Sequence, residues 1–320
     1  MRVAGGSRGV ERAEQRELVR PSVTRAGDVL ANASGENFPV ALRMIPARYR
    51  AHLLALYCFA RLTDDLGDQA RDQDTHGMQD MHGMQDMHGT QDTNAFRLKL
   101  LNDFEADIDR IYNCEQPLTP ALAPLADTVR ACGIPKEPLH ALIQANRQDQ
   151  MVTRYPAYAD LEQYCTLSAN PVGQIVLYIF GAATPERIEL SDKICTALQL
   201  VEHWQDVAED LGDDRIYLPQ QDMARFGVTE QDLAATTANA EVKALLQFEV
   251  ARARRILDDG APLVGTLRGS ARLAVAGYVA GGRAALAAVE RHGYDVLASS
   301  PKPGKPTLAR ELVATYLRGR

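Results

Sequence analysis

Two groups of acidic residues, each spaced as on one side of a helix, are the part of this sequence most able to carry chemistry. The first group lies in YCFARLTDDLGD, with intervals of four, three and four residues between Tyr57, Arg61, Asp64 and Asp68. The second lies in QLVEHWQDVAED, with intervals of four residues between Glu202, Asp206 and Asp210. Residues three and four apart are neighbours on a helix surface, so each group predicts a stripe of carboxylates.

Carboxylates at this spacing repel one another, by roughly 0.2–0.5 kcal/mol per pair on an exposed helix. One stripe alone is most simply a solvated acidic face. Two stripes within otherwise apolar helices favour a pocket, where clustered carboxylates either take up protons or bind cations. Mg²⁺ prefers oxygen ligands and keeps positions for water and phosphate oxygens. The pattern therefore predicts a Mg²⁺-diphosphate site inside an apolar bundle, where the ion assists departure of the diphosphate.

The rest of the chain predicts helices that could position these stripes. Apolar residues recur at intervals of three and four through residues 51–66, 96–112, 139–151, 161–180, 188–211, 242–257 and 273–289. Prolines concentrate between these stretches, where helices end. The motifs GxGxxG, GxxxxGK[ST] and GxSxG do not occur in the sequence, so nothing supports a nucleotide-binding α/β fold. The predicted fold is all-α, a single-domain helical bundle around a central cavity.

Composition excludes several classes of protein. The 320 residues are 46% hydrophobic and 24% charged, which is enough for a sizeable core. The longest apolar run falls well short of a membrane span, and the first residues do not resemble a secretory signal. A net charge of −7 argues against nucleic-acid binding. Five scattered cysteines without a CxxC pair indicate a reducing compartment, and hence a cytoplasmic protein, rather than disulfides or structural zinc.

Two segments fall outside the helical pattern. Residues 1–28 are polar and predict a disordered arm before a domain that spans residues 29–320. Residues 75–92 consist of three nearly identical hexapeptides, THGMQD, MHGMQD and MHGTQD, whose period of six matches neither a helix nor a strand. We interpret residues 71–94 as a flexible insert rather than a metal site. The remaining histidines, for which the sequence shows no convergent partners, are interpreted as structural or surface residues: His52, His140, His203 and His292.

Longer motifs identify a family that the chain resembles. They are GENFP at 35–39, YxxxRxxDDxxD at 57–68, RY at 154–155, YC at 164–165, SANPVG at 168–173, QL at 199–200, WQDVAxD at 204–210 and RIYLP at 215–219. In this order and spacing, over about residues 30–297, they resemble the trans-isoprenyl squalene/phytoene synthase family. The motifs ENFP, SANPVG and WQDVA are most similar to the hydroxysqualene synthases of bacterial hopanoid pathways.

The resemblance implies roles for individual residues. The implied Mg²⁺ ligands are Asp64, Asp68, Glu202, Asp206 and Asp210. Catalytic contacts with the diphosphate or the reacting carbon are implied for Tyr57, Arg61 and Tyr164. Substrate binding is implied for Ser34, Asn37, Asn170, Gln199, Arg215 and Tyr217. The RIYLP segment would close over the diphosphate, and the ring face of Tyr164 would suit a carbocation.

Two positions depart from the family pattern. Relatives usually have Asn four residues before the first Asp of the second motif, where this chain has Glu202. Glutamate can bind Mg²⁺ but adds a charge and a methylene, which would alter the placement of the ion. Relatives often have a second tyrosine after Tyr-Cys, where this chain has Leu167.

The activity implied by the resemblance is Mg²⁺-dependent ionisation of presqualene diphosphate, followed by cyclopropane rearrangement and capture of the cation by water. The products would be hydroxysqualene and diphosphate. An alternative within the family is condensation of two prenyl diphosphates to presqualene diphosphate, squalene or phytoene. An alternative of another class is a non-catalytic scaffold or assembly factor. The expected partners are the prenyl diphosphate substrate, the membrane surface through peripheral contact, and neighbouring pathway enzymes.

Overall fold

The computed structural model describes residues 45–68 and 86–318, and the side chains of 45–67 and 94–318 within them. The predicted arm, residues 71–85 of the predicted insert, and the predicted substrate contacts Ser34 and Asn37 lie outside the described residues.

The described chain is built from helices, and the predicted all-α fold is confirmed. Their bounds are α1 (Ala47–Asp68), α2 (Asp86–Tyr112), α3 (Ala123–Cys132), α4 (Lys136–Gln148), α5 (Tyr158–Ser168), α6 (Asn170–Ile179), α7 (Pro185–Gln205), α8 (Val207–Gly212), α9 (Gln220–Phe226), α10 (Glu230–Leu233), α11 (Ala240–Gly260), α12 (Leu263–Thr266), α13 (Gly269–Arg291) and α14 (Lys305–Arg318). A short 3₁₀ helix, Pro120–Leu122, precedes α3. The one pairing of extended backbone in this part of the chain is an isolated parallel bridge between Arg154 and Ile216.

Polar side chains cap the N-termini of α7 and α11, the two helices that pack most extensively on each other. The hydroxyl of Thr184 accepts a hydrogen bond from the Arg187 amide, and Pro185 occupies the first turn of α7, where no N–H is needed. The side chain of Asn239 accepts a hydrogen bond of 2.8 Å from the Val242 amide at the start of α11. These caps begin the two helices against which most of the bundle packs.

The structure divides two stretches that were predicted as single helices. The stretch 161–180 breaks at Ala169, because Pro171 in the first turn of α6 has no N–H with which to continue the hydrogen bonds of α5. The stretch 188–211 breaks at Asp206, whose backbone has φ −108° and ψ 18°. This sparsely populated region of backbone geometry is common at active sites. A residue of the second acidic group therefore lies at the junction of α7 and α8.

Helix α2 begins at Asp86 and therefore includes residues that the predicted insert contained. The backbone of residues 86–94 is helical, where no helix was predicted, and the flexibility of the insert stays a prediction. A tertiary contact holds this part of the helix, since Asn94 Nδ2 donates to the carbonyl oxygen of Gln150 at 3.2 Å and Arg97 Nη1 donates to the side-chain oxygen of Gln150 at 3.1 Å. Such long-range contacts are not visible in the periodicity of the sequence.

The buried apolar side chains form two adjoining clusters. One joins α1, α2, α3, α4 and α6, and the larger one joins α5, α7, α11 and α13 around the fully buried Trp204. Phe180 and Tyr278 pack against both clusters. Helix α7 contacts α6, α11 and α13 and so runs through the middle of the bundle. A Cβ at Gly260 of α11 would lie 2.8 Å from the carbonyl oxygen of Leu190, which shows how closely α11 approaches α7.

Among the described helices, α13 is long and apolar enough to cross a bilayer by length and composition alone. Within its most apolar stretch 61% of the residues are buried in the bundle. Its apolar residues therefore face other helices, as in the core helix of a globular domain. All five cysteines fall within the described residues and are free thiols.

Candidate active site

The second acidic group lines a recess at the end of α7. Gln199, Glu202, His203, Asp206 and Asp210 surround a volume of about 190 Å³. The Asp206 amide still donates to the carbonyl oxygen of Glu202 at 3.0 Å, and the Asp210 amide to that of Asp206 at 2.8 Å. The three carboxylates therefore share one recess in spite of the break between α7 and α8.

The chemistry of these donors fits Mg²⁺. Mg²⁺ is usually held by one or two carboxylates together with waters and substrate phosphates, not by a cage of protein ligands. Within 45–68 and 86–318, no three His, Cys, Asp or Glu side chains are arranged to hold a metal ion by themselves. The recess thus offers hard oxygen ligands for an ion that is shared with a phosphate group.

Aromatic rings form a buried wall beside the recess. Tyr217 stacks on His203 with ring centroids 3.6 Å apart and planes 12° apart. The ring of Tyr164 lies 5.8 Å from that of Tyr217, and Tyr155 lies 5.5 Å and 5.6 Å from these two rings. The faces of such rings attract positive charge. The site therefore joins an acidic recess to a surface that can stabilise a cation.

Asp149, at the end of α4, is the polar group in this wall. Tyr164 Oη donates to Asp149 Oδ2 at 3.0 Å, and Arg215 Nη2 donates to the Asp149 carbonyl oxygen at 3.3 Å. Burial, and then the negative charge of Asp149, raise the pKa of Tyr164 well above its ordinary value. The phenol of Tyr164 consequently stays protonated and acts as a donor near neutral pH.

The first acidic group, on α1, contacts the same end of α4. Asn146 Nδ2 donates to Asp64 Oδ1 at 3.2 Å, and Gln150 Nε2 donates to the Gly67 carbonyl oxygen at 3.3 Å. A Cβ at Gly67 would lie 2.5 Å from the side-chain oxygen of Asn146, so a larger residue there would have to displace the Asn146 side chain. Since Asp149 follows Asn146 by one helical turn, the end of α4 touches both the first acidic group and the aromatic wall.

The other predicted residues of the first acidic group lie along α1. Arg61 Nε forms an ion pair of 3.0 Å with Asp65, and the side chain of Arg61 is 51% exposed. Tyr57 is half-buried, and Asp68 is the last residue of the helix. Arg61 is not among the residues that line the recess on α7 and α8, so its implied diphosphate contact stays a prediction.

Asn170 has a different environment from the one expected of a substrate contact. It is 5% exposed, and its side-chain oxygen accepts a hydrogen bond of 2.9 Å from the hydroxyl of Thr196. This bond joins the start of α6 to α7 within the bundle. Asn170 therefore contributes to helix packing in this structure, and it is not among the residues that line the recess.

The RIYLP segment is anchored where it begins. Arg154 Nε contacts Glu230 Oε1 at 2.8 Å, and Arg154 Nη2 contacts Asp214 Oδ1 at 2.8 Å. The Ile216 amide donates to the Thr153 carbonyl oxygen at 2.9 Å. The Arg-Tyr motif thus holds the segment that carries Arg215 and Tyr217, which explains why the two motifs occur together.

A buried cluster of polar side chains anchors the same segment where it ends, at α9. Arg252 Nη1 lies 2.9 Å from Asp222 Oδ2 and 2.8 Å from Glu249 Oε2. Glu249 is 0% exposed. Its burial raises its pKa to about 8, although the charge of Arg252 acts in the opposite direction. Helix α9 is in this way fixed to α11.

The loop between α13 and α14, residues 292–304, lies across the second acidic group. Ser300 Oγ donates to Asp206 Oδ1 at 2.9 Å. Gln205 Nε2 donates to the carbonyl oxygen of Pro301, which is buried. Both contacts are made where α7 ends, at the residue with the unusual backbone and the residue before it.

Sequence reasoning missed three residues of this site: His203, Asp149 and Ser300. His203 was interpreted as a structural or surface residue, but it is buried, lines the recess and has Nδ1 3.8 Å from Asp210 Oδ2. His203 lies about 100° around the helix from Glu202, but it is three residues from Asp206 and seven from Asp210, spacings that put residues on the same side of a helix. Asp149 could not be recognised because no second carboxylate lies three or four residues from it. Ser300 could not be recognised because it is 94 residues from Asp206 in the sequence and comes close to it only in the folded protein.

Comparison with known proteins agrees with this arrangement. Residues 31–310 match the squalene/phytoene synthase family. The presqualene diphosphate synthase of Rhodopseudomonas palustris is 29% identical over 222 residues, which are 69% of this chain and 71% of that protein. The hydroxysqualene synthase of the same organism is 31% identical over 237 residues, 73% and 72% of the two chains. The crystal structure of squalene synthase HpnC from Alicyclobacillus acidocaldarius is 34% identical, with a TM-score of 0.69 over 84% of this chain and 95% of that one.

Proposed function

Because the chain belongs to the squalene/phytoene synthase family of head-to-head prenyl diphosphate synthases, we propose that it converts presqualene diphosphate and water to hydroxysqualene and diphosphate. The observation that carries this proposal is the acidic recess beside a buried wall of tyrosines. Such a pairing binds a diphosphate through a cation on one side and stabilises a carbocation on the other.

The diphosphate would be held between the two acidic groups. Glu202, Asp206 and Asp210 would hold Mg²⁺ on one side, and Asp64 with Asp68 would do so on the other. When bound there, Mg²⁺ supplies positive charge to the oxygen of the leaving diphosphate as the C–O bond breaks. The protein itself adds Arg215 and Tyr217, kept in place by the anchored RIYLP segment.

The hydrocarbon cation would lie against the tyrosine wall. The π electrons of the clustered rings of Tyr155, Tyr164 and Tyr217 would attract its positive charge. The phenol of Tyr164 is engaged with Asp149 at 3.0 Å, so it is oriented before the substrate arrives. The hydroxyl of the product comes from one water, which adds its oxygen to the cation and releases a proton.

The two departures from the family pattern have different surroundings. Glu202 lines the recess, so its carboxylate adds negative charge where relatives have a neutral amide. Leu167 is partly buried and packs against the larger apolar cluster. We infer that Glu202 affects metal binding and that Leu167 affects the shape of the apolar cavity.

The main alternative is presqualene diphosphate synthesis, because a presqualene diphosphate synthase is as similar to this chain as the hydroxysqualene synthases are. Purified protein should be incubated with Mg²⁺ and presqualene diphosphate, and separately with farnesyl diphosphate, before mass spectrometry of the lipid extract. We expect hydroxysqualene from the first substrate and nothing from the second. A product formed directly from farnesyl diphosphate would make the protein a condensing synthase. Failure of both reactions with folded protein would favour the scaffold alternative.

We also propose that the chain meets its water-insoluble substrate at a membrane surface through α14. Val313 and Leu317, one turn apart on this helix, are 59% and 52% exposed. Arg310 and Arg318 are exposed beside them and complement anionic lipid headgroups. Flotation with vesicles that contain phosphatidylglycerol should be weakened by changing Val313 and Leu317 together to Ser. Equal flotation of both proteins would contradict this docking face.

A further inference from the structure

We propose that the α13–α14 loop positions the second acidic group for metal binding, with Ser300 as the positioning residue for the Asp206 carboxylate. This inference rests on the proposed function, because it takes Asp206 as a ligand of Mg²⁺. It assigns a role to residues of the loop that no spacing pattern marks and that lie outside the helices of the bundle.

The contact is made at the one irregular point in the second acidic group. Ser300 Oγ donates to Asp206 Oδ1 at 2.9 Å, and Asp206 has the backbone geometry that separates α7 from α8. The neighbouring Gln205 donates to the carbonyl oxygen of Pro301. The loop therefore bonds to both sides of the helix break, and this break sets the direction of the Asp206 side chain relative to Glu202 and Asp210.

The loop is fixed near both of its ends, so the contact of Ser300 requires little further ordering. Before Ser300, Asp295 Oδ1 accepts hydrogen bonds from the Ala238 amide at 3.0 Å and the Ala298 amide at 3.4 Å. After it, Arg291 Nη1 donates to the hydroxyl of Thr307 at 3.0 Å.

Helix α14, which follows the loop, is also attached to α13. Arg283 Nη1 donates to the hydroxyl of Thr315 at 3.0 Å, and Arg272 Nη2 donates to the Tyr316 carbonyl oxygen at 2.7 Å. The loop is thus held between two helices that pack on each other. Ser300 is exposed, and hydrogen bonds at Asp295 before it and at Pro301 after it hold the backbone on both of its sides.

A serine is chemically suited to this task. Its hydroxyl is a neutral donor, so it orients the carboxylate without neutralising the charge that a cation needs. It occupies one oxygen of Asp206 by a single hydrogen bond, and a carboxylate has two oxygens that each accept more than one. Hydrogen bonds from a second layer of residues commonly orient metal-binding carboxylates, and their loss lowers metal affinity or activity by about 10–100-fold.

The test is the binding of Mn²⁺, measured from the electron paramagnetic resonance signal of the free ion, with and without inorganic diphosphate. Ser300→Ala should weaken Mn²⁺ binding by about 10-fold or more. Ser300→Thr keeps the hydroxyl and should bind within about 2-fold of the original protein. Ser299→Ala, which changes the adjacent exposed serine, serves as the matched control and should bind normally. Thermal unfolding of each variant separates loss of binding from loss of folding.

The outcomes divide clearly. Unchanged Mn²⁺ affinity in Ser300→Ala, or loss of thermal stability without loss of affinity, would overturn the positioning role. Absence of Mn²⁺ binding to the unmodified protein would overturn it as well. Normal Mn²⁺ binding that depends on Ser300, together with no hydroxysqualene from presqualene diphosphate, would leave this inference standing and refute the proposed reaction.

Discussion

Replacing Glu249 by Gln should remove the loss of unfolding free energy that ionisation of this buried carboxyl causes as the pH rises. Glu249 is 0% exposed. Its pKa is about 8 in the folded protein, against an ordinary value of 4.5. The folded state therefore keeps a proton that the unfolded state releases. The stability that results is fully present below about pH 4.5 and is lost as the pH rises through about 8.

The size of the effect follows from the distance between the two pKa values. A difference of one in pKa corresponds to about 1.4 kcal/mol, so the interval from 4.5 to about 8 amounts to roughly 5 kcal/mol of unfolding free energy. Burial is the main cause, the charge of Asp222 adds to it, and the pairing with Arg252 opposes it. Arg252 also lies 4.3 Å from the centre of the Tyr158 ring and 4.7 Å from that of Phe248.

Glutamine has nearly the same shape, can accept the hydrogen bond from Arg252, and cannot ionise. The unfolding free energy of Glu249→Gln minus that of the original protein should therefore increase by several kcal/mol between about pH 5 and pH 8. Urea denaturation followed by far-UV circular dichroism, at constant ionic strength and in steps of pH, measures this difference. Glu241→Gln, at an exposed position of the same helix, is the control and should give a nearly constant difference. The reasoning fails if the Glu249→Gln difference is equally constant.

Three further predictions concern the site itself. Asp206→Asn should lower hydroxysqualene turnover by about 100-fold or more while the thermal midpoint is kept, and unchanged turnover would remove this residue from the metal site. Gly67→Ala should raise the Mg²⁺ concentration that gives half-maximal turnover, because the new Cβ displaces Asn146 from Asp64. The same Mg²⁺ dependence in both proteins would show that the hydrogen bond between Asn146 and Asp64 does not affect metal binding. Arg154→Lys should raise KM for the substrate and lower the thermal midpoint by about 2–4 °C. The reason is that an ammonium group cannot make the forked contacts of a guanidinium with two acidic partners. Full retention of both values would show that the RIYLP segment is held by other contacts.

Much of the fold follows from local patterns, since apolar residues at intervals of three and four mark the amphipathic helices. The same reasoning fails at Ala169 and Asp206, where two long apolar patterns continue across a break in the backbone. Pro171 gave a local signal for the first break. The second coincides with contacts from residues 300 and 301, and such contacts exist only once the chain has folded.

The candidate site shows the same division. The spacing of the second acidic group predicted that its three carboxylates lie together, and all three line the recess. Their neighbours were not recognised: His203 belongs to no carboxylate pattern, and Asp149 is a single carboxylate at the end of a helix. The role of Arg154 follows from an ion pair with Glu230, 76 residues further along the chain. Contacts of this kind arise from tertiary packing and leave no periodic pattern in the sequence.

The hydrogen bond between Ser300 and Asp206 joins residues 94 positions apart, and this has a consequence for synthesis of the chain. During translation, the carboxylates of both acidic groups emerge before α9. The helices that enclose the tyrosine wall, α11 and α13, and the loop that reaches Asp206 follow later. A nascent chain therefore carries the carboxylates long before it can orient them. The contact between Ser300 and Asp206 can form only after residue 300 has been synthesised, so the surroundings of the second acidic group are completed late in translation.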